Sequence, residues 1–469
     1  MILPFYGIIY YWSVMQKYTT SLGDAPLGRL LVKLSLPGMA SSISTSLYNI
    51  VNTIWVSRIG YEAIAALTVI FPYQILFYAI GGGTGIGIAA LVSRRFGEKN
   101  PESTNHVAGQ VFFLSALWGL LFILISVSFP DQIVRLLGAT PDIIEYSKQY
   151  LVITSFGAPL VIFEVVIANL LRGSGDAVKP MIIMISSTLI NIGLDPLLIF
   201  GIGPFPEMGV SGAALGTVIA QAFGALLGLY YLLAGKTAYH IKLAHLRPDW
   251  SIIKDIYRVG TPTAVMQLAE SFVFLLMNNI VSYFGSVAIA AVGIVIRISD
   301  LAFMPMMGVS HGLLPVIGYC FGAGNYKRLW RALKLAAAGI AGLLLLITAA
   351  IEIFTPQIAG IFAREPELLA KTVTALRISM ISMPLIGPTV LITTTFQGLS
   401  RGATALVLSL IKQWVIFIPL LYLCRYLWDL TGVWISWPLA DTLSMAASFA
   451  FIYREYRIHR RQGFLKYNI

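Results

Sequence analysis

Twelve stretches of this chain run for more than 20 residues with few or no charges, and no other feature limits the possible folds so strongly. In a bilayer every backbone polar group must be satisfied within the protein, and about 20 apolar residues meet that condition as one α-helix. The runs lie near residues 29–58, 62–93, 106–129, 145–171, 178–203 and 209–235. Six more lie near 254–284, 287–320, 330–354, 368–397, 403–425 and 432–456, and each run is closed by charge or by Gly/Pro punctuation. Composition agrees: 57% of the residues are hydrophobic and 11% are charged, against roughly 25% charged in soluble domains. Twelve helices leave no room for a soluble catalytic domain, so an enzyme is not expected. The net charge of +11 would suit nucleic acid only if Lys and Arg clustered on a solvated face, but here they sit between apolar runs. The two cysteines, Cys320 and Cys424, belong to no CxxC pair, so neither a zinc site nor redox chemistry is expected, and no cofactor.

The expected organisation is a peripheral N-terminal segment (1–28), a six-helix lobe (29–235), an inter-lobe linker (236–253), a second six-helix lobe (254–456) and a basic tail (457–469). Residues 1–15 are apolar and aromatic but too short to span, and they lack the basic stretch of a secretory signal, which suggests a segment lying in the interface. The linker carries His240, His245 and Pro248, and the tail carries Arg457, Arg460 and Arg461. Of the 32 Lys and Arg, 23 fall in the N-terminal segment, the even-numbered connections and the tail, and 6 fall in the odd-numbered connections. Cytoplasmic loops retain positive charge during insertion, so both termini are expected in the cytoplasm and the protein in the inner membrane. The same count puts Cys320 at the cytoplasmic end of the eighth span and Cys424 at the outer end of the eleventh, too far apart for a disulfide.

The two halves repeat at an offset of 225 residues. Pro37 pairs with Pro262, Ser57 with Ser282, Gly60 with Gly285, and Gly83 and Gly87 with Gly308 and Gly312. Phe96-Gly97 pairs with Phe321-Gly322, Asn100 with Asn325, Gln132-Ile133 with Gln357-Ile358, and Pro141, Pro159 and Gly173 with Pro366, Pro384 and Gly398. Apolar helices that resemble each other by chance share scattered Leu and Ala; they do not keep Gly and Pro in register through loops. Each half has an even number of spans, so the halves enter from one side as parallel repeats, with substrate sites expected between them.

An ionisable group at bilayer depth is costly unless it faces protein or water, which makes each one a functional candidate. Asp195 follows Asn191 by one helical turn and precedes Pro196, which frees a backbone carbonyl; carboxylate and amide can share one cation or proton, or the carboxylate can simply cap a kinked helix. Glu270 lies eight residues after Pro262 and pairs by repeat with Thr45, so it is either a second coupling or substrate-charge site or a hydrogen-bonded packing residue. Glu164 is weaker, having no polar neighbour one turn away. Arg297 and Asp300 are expected to neutralise each other, and Asp441 and Lys412 to pair across helices. The run Gly81-Gly82-Gly83-Thr84-Gly85-Ile86-Gly87 lacks the Lys-Ser/Thr of a phosphate loop and fits close helix packing. His311 reads as a hydrogen-bonded core residue, and neither a metal cluster nor a catalytic triad can be assembled from the sequence.

Four stretches carry a resemblance: Leu34-Ser35-Leu36-Pro37 followed by Tyr48-Asn49-Ile50-Val51-Asn52-Thr53; Gly173-Ser174-Gly175-Asp176 with Lys179-Pro180; Asn191 to Pro196; and Gly318 to Tyr326. With them, from about Leu27 to about Tyr456, the chain resembles the prokaryotic multidrug and toxic compound extrusion (MATE) transporters. The resemblance implies an all-α integral membrane protein of about twelve transmembrane helices in two parallel-repeat six-helix bundles forming a V. It implies a secondary active efflux transporter that exports amphipathic, often cationic compounds in antiport with H⁺ or Na⁺, by alternating access around a central cavity.

By the same resemblance Asp195 matches the family's cation-binding carboxylate, with H⁺ or Na⁺ as its ion, and Asn191, Tyr48, Thr217, Tyr150 and Asn169 match its neighbours. Pro37 matches the kink of the first helix, and Glu270 the acidic residue that another branch uses in its C-terminal lobe. Two positions depart. Asn52 stands where many relatives have aspartate, and Cys320 where asparagine is usual. With Asp195 alone, one positive charge neutralises the site, which favours a proton over Na⁺, since Na⁺ needs several well-placed oxygens. Expected partners are small amphipathic or cationic substrates and membrane lipid, with a monomeric chain and no nucleic acid. The alternatives are a lipid-linked oligosaccharide flippase of the same superfamily, for which the spans offer only Arg297, Arg377 and Lys412 to hold phosphate, and a membrane-embedded enzyme; a channel would need repeated rings of pore ligands.

Overall fold

The computed structural model describes residues 22–363 and 365–462, and these are helical almost throughout, with no strand among them. The expected interfacial segment and the end of the basic tail lie outside the described residues. Helices α1 (Leu27–Ser57), α2 (Tyr61–Gly97) and α3 (Pro101–Ser128) lead to a short helix, Pro130–Leu136. Helix α4 is bent by 49° between Ile144–Phe156 and Ala158–Gly173, and α5 (Val178–Phe200) and α6 (Gly209–Leu233) complete the first half. After the linker come α7 (Trp250–Ser282), α8 (Ser286–Gly322), α9 (Tyr326–Ile353), a short helix Thr355–Phe362, and α10, bent by 50° between Pro366–Met380 and Met383–Gly398. Gly402–Leu410 then passes through a π-helical turn, Ile411–Phe417, into Ile418–Arg461. Non-helical backbone at Trp428 and Asp429 divides this last stretch into α11 (402–427) and α12 (430–461).

Seven of the described helices are by themselves long and apolar enough to cross a bilayer, and nine when each bent pair counts as one span. The last of these holds both α11 and α12. Helices α1 and α7 complete the twelve; they are more polar, and each packs against the opposite half of the chain. Leu120, Leu124, Leu345 and Leu346 stand exposed on the outer surface, as side chains facing lipid do.

Helix ends repeat at the 225-residue offset: Ser57 and Ser282, Gly97 and Gly322, Pro101 and Tyr326, Ser128 and Ile353, Gly173 and Gly398. The bends of α4 and α10 and the two short helices also correspond. The paired asparagines are helix caps. Asn100 Oδ1 accepts from the Ser103 N–H at 3.0 Å, and Asn325 Oδ1 from the Arg328 N–H at 3.1 Å, each satisfying a donor that a helix start leaves open.

The halves meet through small residues. A β-carbon on Gly83 would lie 2.6 Å from the Gly260 carbonyl and 2.9 Å from Ala264 Cβ, and one on Gly308 would lie 2.6 Å from Met39 N; these contacts exchange under the repeat. Gly97 faces Tyr319 and Gly322 faces Arg94, again exchanging, while Gly318 sits on Ser93, its own repeat partner. The halves are therefore related by a pseudo-two-fold axis that passes close to the Ser93–Gly318 and Gly97–Gly322 pairs. The contacts lie in the half of α1, α2, α7 and α8 nearer the basic end. At the opposite end of α8, Gly285 and Gly293 have open space around the β-carbon position. The V is closed at its basic end and parted at the other.

The linker is latched onto the start of α3. Asn105 Oδ1 accepts from the His240 N–H at 2.9 Å, Gln110 Nε2 donates to the Arg247 carbonyl at 2.9 Å, and Glu102 Oε1 meets His245 Nε2 at 2.9 Å. The expectation that no metal cluster can be assembled needs correction, because the linker brings His245 to Glu102 and His106 with ligand atoms all within 4.8 Å of one another. Sequence spacing hid this, since His245 lies 143 residues from Glu102. The set does not suit a metal, however: His245 Nδ1 accepts from the Lys242 N–H at 3.1 Å, which puts the ring's proton on Nε2, the atom that would have to ligate.

Cys320 and Cys424 are both unpaired, and both are buried, so thiol labelling of the native chain is a poor reporter of sidedness.

Two outcomes are expected. Gly322→Val should overpack the axial contact and lower stability by about 1–3 kcal/mol, read as the melting temperature of the detergent-solubilised protein; a variant as stable as wild type would contradict the packing described. The His245 hydrogen bond holds the Glu102 carboxyl below the usual carboxylate range. Docking of the linker is thus favoured above the ordinary carboxylate pKa and loses that contribution as pH falls through the lowered value. Glu102→Gln should melt below wild type at pH 7, and the difference should shrink as pH falls below the ordinary carboxylate range.

Candidate coupling and substrate sites

Helix α5 presents Asn191 and Asp195 on one face, with Pro196 directly after. Asp195 is fully buried, and its Oδ1 accepts from Asn191 Nδ2 at 2.9 Å. Room for it comes from α6, where a β-carbon on Gly216 would lie 2.6 Å from Asp195 Oδ1. Thr217 spends its one hydroxyl proton on the Ala213 carbonyl, at 3.0 Å. Its oxygen therefore accepts from Tyr48 OH at 3.2 Å and from Asn191 Nδ2 at 3.4 Å. This arrangement joins α1, α5 and α6 through four of the expected residues. Three buried acceptors there have no hydrogen-bond partner: Asp195 Oδ2, Asn191 Oδ1 and Asn52 Oδ1. Tyr150 is buried, and its hydroxyl accepts from Gln74 Nε2 at 3.5 Å.

Asn169 stands elsewhere. Its amide donates to the Val165 carbonyl of its own helix at 2.9 Å and accepts from Arg172 Nη1 at 3.4 Å, and it packs against Gly85, so its hydrogen bonds leave it outside the Asp195 cluster. Pro37 lies inside α1, which remains one helix; the Ser41 hydroxyl donates to the Pro37 carbonyl at 3.0 Å and that of Ser42 to Gly38 at 3.2 Å, occupying carbonyls at the proline turn.

A cleft of ≈ 120 Å³ beside the cluster is lined by Tyr48, Asn191 and Thr217, and also by Glu164 and Arg172. Sequence reading gave Glu164 little weight because it sought polar partners on the same helix. The partner surface is across the lobe: a β-carbon on Gly224 of α6 would lie 2.6 Å from the Glu164 carboxyl carbon. Gly212, Gly216, Gly224 and Gly228 form a stripe along α6 that seats Asp195 and Glu164 in turn, a spacing visible in the sequence. Arg172 is buried; Nη2 lies 3.2 Å from Met184 Sδ, and among the described residues no carboxylate comes within ion-pair distance.

The second lobe has a larger cavity of ≈ 400 Å³, lined by Glu270, Asp300, Lys412, Asp441 and His311 among apolar side chains such as Met266, Phe303 and Trp437. Lys412 Nζ lies 3.0 Å from Asp441 Oδ1, the expected pair. Arg297 and Asp300 do not pair: no ion pair joins them, and Asp300 faces the cavity instead. One turn of separation brought them to one side of α8 without bringing the charged ends together. The His311 ring nitrogen Nδ1 is buried without a hydrogen-bond partner, against the expectation of a satisfied core histidine.

Comparison with known proteins agrees with this architecture. The sequence model of the MatE family matches residues 37–197 and again residues 262–423. The multidrug export protein MepA of Staphylococcus haemolyticus is 28% identical over 431 residues, covering 92% of this chain and 94% of that protein. Among solved structures, the outward-facing conformation of a multidrug resistance MATE family transporter of the MOP superfamily superposes with a TM-score of 0.90 at 27% identity, covering 95% of this chain and 99% of that one. A MOP superfamily transporter from Pyrococcus furiosus, described as having a binding pocket of reverse polarity that suggests a different function, gives a TM-score of 0.88 at 27% identity, covering 96% and 99%.

Proposed function

Because the chain belongs to the MatE family of membrane transporters, we propose that it is a secondary active multidrug exporter that moves amphipathic, often cationic compounds outward in antiport with a cation bound at Asp195. The observation that carries the reading is the buried Asp195 carboxylate with one oxygen unsatisfied, held by Asn191 within a neutral network that reaches Thr217 of α6 and Tyr48 of α1. A buried charge of this kind is tolerated when it is periodically neutralised, and a group that binds and releases a cation while the lobes rock supplies that neutralisation. The basic end is the cytoplasmic one by the charge count, so the parted end of the V opens outward.

A proton is the coupling ion that fits a single carboxylate with amide and hydroxyl neighbours, because one proton cancels its charge and supplies the donor that Oδ2 lacks. A second reading, Na⁺, is supported by the orphaned oxygens of Asn191 and Asn52, which a proton on Asp195 does not satisfy. Substrates take the cavity of the second lobe, where apolar walls meet the Glu270 and Asp300 carboxylates. The flippase alternative is poorly supported there, since the one lysine of the cavity is already paired with Asp441.

Asp195→Asn keeps the hydrogen bonds but cannot change charge. Transport of a fluorescent cation into proteoliposomes should fall to background while the melting temperature stays near wild type. Glu270→Gln should reduce transport of cationic substrates without reproducing that loss. Imposing each gradient alone separates the two ions: transport driven by Na⁺ and indifferent to pH would overturn proton coupling, and wild-type export by Asp195→Asn would remove Asp195 from the mechanism.

A further inference from the structure

The cavity of the second lobe contains its own cation. Lys412 and Gln413 sit in the π-helical turn Ile411–Phe417, and both line the cavity. A π-turn takes up one extra residue and re-aims the side chains that follow, and such turns concentrate at functional sites. Lys412 lies 3.0 Å from Asp441, whose other oxygen accepts from the Ser382 hydroxyl at 2.7 Å. Asp441 is therefore held from two sides, whereas Glu270 and Asp300 line the same space with no ion pair among the described residues. The Lys412 side chain is 30% exposed.

We propose that Lys412 is a specificity-determining residue, a tethered cation that competes with the positive charge of a cationic substrate for the acidic wall of the second-lobe cavity. The inference rests on the reading that this cavity takes the substrate. An arriving cation at Glu270 and Asp300 is repelled by the Lys412 ammonium, and Asp441 limits that repulsion by holding the lysine to one side. The affinity of the cavity for positive charge is thereby set separately from its affinity for the apolar part of a substrate.

Binding is measured with the full-length protein in nanodiscs, using an aromatic monocation and an uncharged analogue of the same ring system. Lys412→Met should tighten the monocation by roughly tenfold and leave the analogue unmoved, whereas Asp441→Asn, which releases the lysine toward Glu270, should weaken the monocation alone. If Lys412→Met fails to fold, the Asp441→Asn/Lys412→Met double variant replaces it: removing the lysine from the Asp441→Asn background should restore monocation binding roughly tenfold. Equal shifts for both probes, or a monocation that binds more weakly without the lysine, would overturn the proposal. Glu270→Gln separates the two levels. If it leaves monocation binding unchanged, the cavity is not the substrate site and both readings fall. If it weakens the monocation while the lysine variants shift both probes alike, only the role of Lys412 falls.

Discussion

Everything else in this molecule depends on how closely two helices can approach where the lobes meet. In lipid there is little hydrophobic gain in bringing one apolar helix against another, so the association must come from dense packing of small residues. Gly97 against the end of α8, Gly322 against the end of α2, and Gly83 and Gly308 against α7 and α1 supply it. Because these contacts are confined to the basic half of the helices, the lobes are joined at one end and the far halves of α1, α2, α7 and α8 border the space between them. One cavity lies in each lobe, the smaller lined by Tyr48 and Glu164 and the larger by Glu270 and Lys412.

The repeat gives the lobes one scaffold but not one chemistry. In the first lobe a buried carboxylate from α5 is seated on a glycine of α6 among neutral donors and acceptors, beside a small cleft that Glu164 and Arg172 also line. In the second, three carboxylates and an ammonium face a larger space with methionine and aromatic walls. A small buried acidic site suits an ion, and a wide site of mixed polarity suits an amphipathic molecule. The division of labour arises where the repeat fails: Glu270 pairs with Thr45, and the π-turn has no counterpart among the described helices of the first lobe.

Much of the fold was legible because membrane constraints act on the sequence directly. Apolar length gave the spans, and Gly, Pro and Asn at a fixed offset gave the symmetry, since those residues mark caps, bends and close approaches that the chain must make twice. Of the site, Asp195 with Asn191 was legible because one helical turn puts them together. Thr217 and Tyr48 came only through the family resemblance, as their contacts cross between helices. Asn169 fell outside because its amide is used by its own helix. Glu164 and the Glu102–His245 latch were missed for the complementary reason: both depend on partners in distant segments, and only the glycine stripe of α6 hinted at the first. Arg297 and Asp300 show the limit of spacing arguments, which place side chains on a face but do not say where their ends point.

The contacts on the axis carry a consequence for ancestry. Ser93 and Gly318 are the same position of the repeat and touch each other, while Gly97 and Gly322 each meet the carbonyl-bearing end of the other half. An interface in which a position meets its own copy is isologous, so one sequence of half this length suffices to build it. With six spans, such a half-chain would insert both copies in the same sense and pair them about the membrane normal without any linker. Two copies joined in one chain can differ, which the subunits of a homodimer cannot, so a pseudo-symmetric scaffold can carry Asp195 on one side and Lys412 on the other.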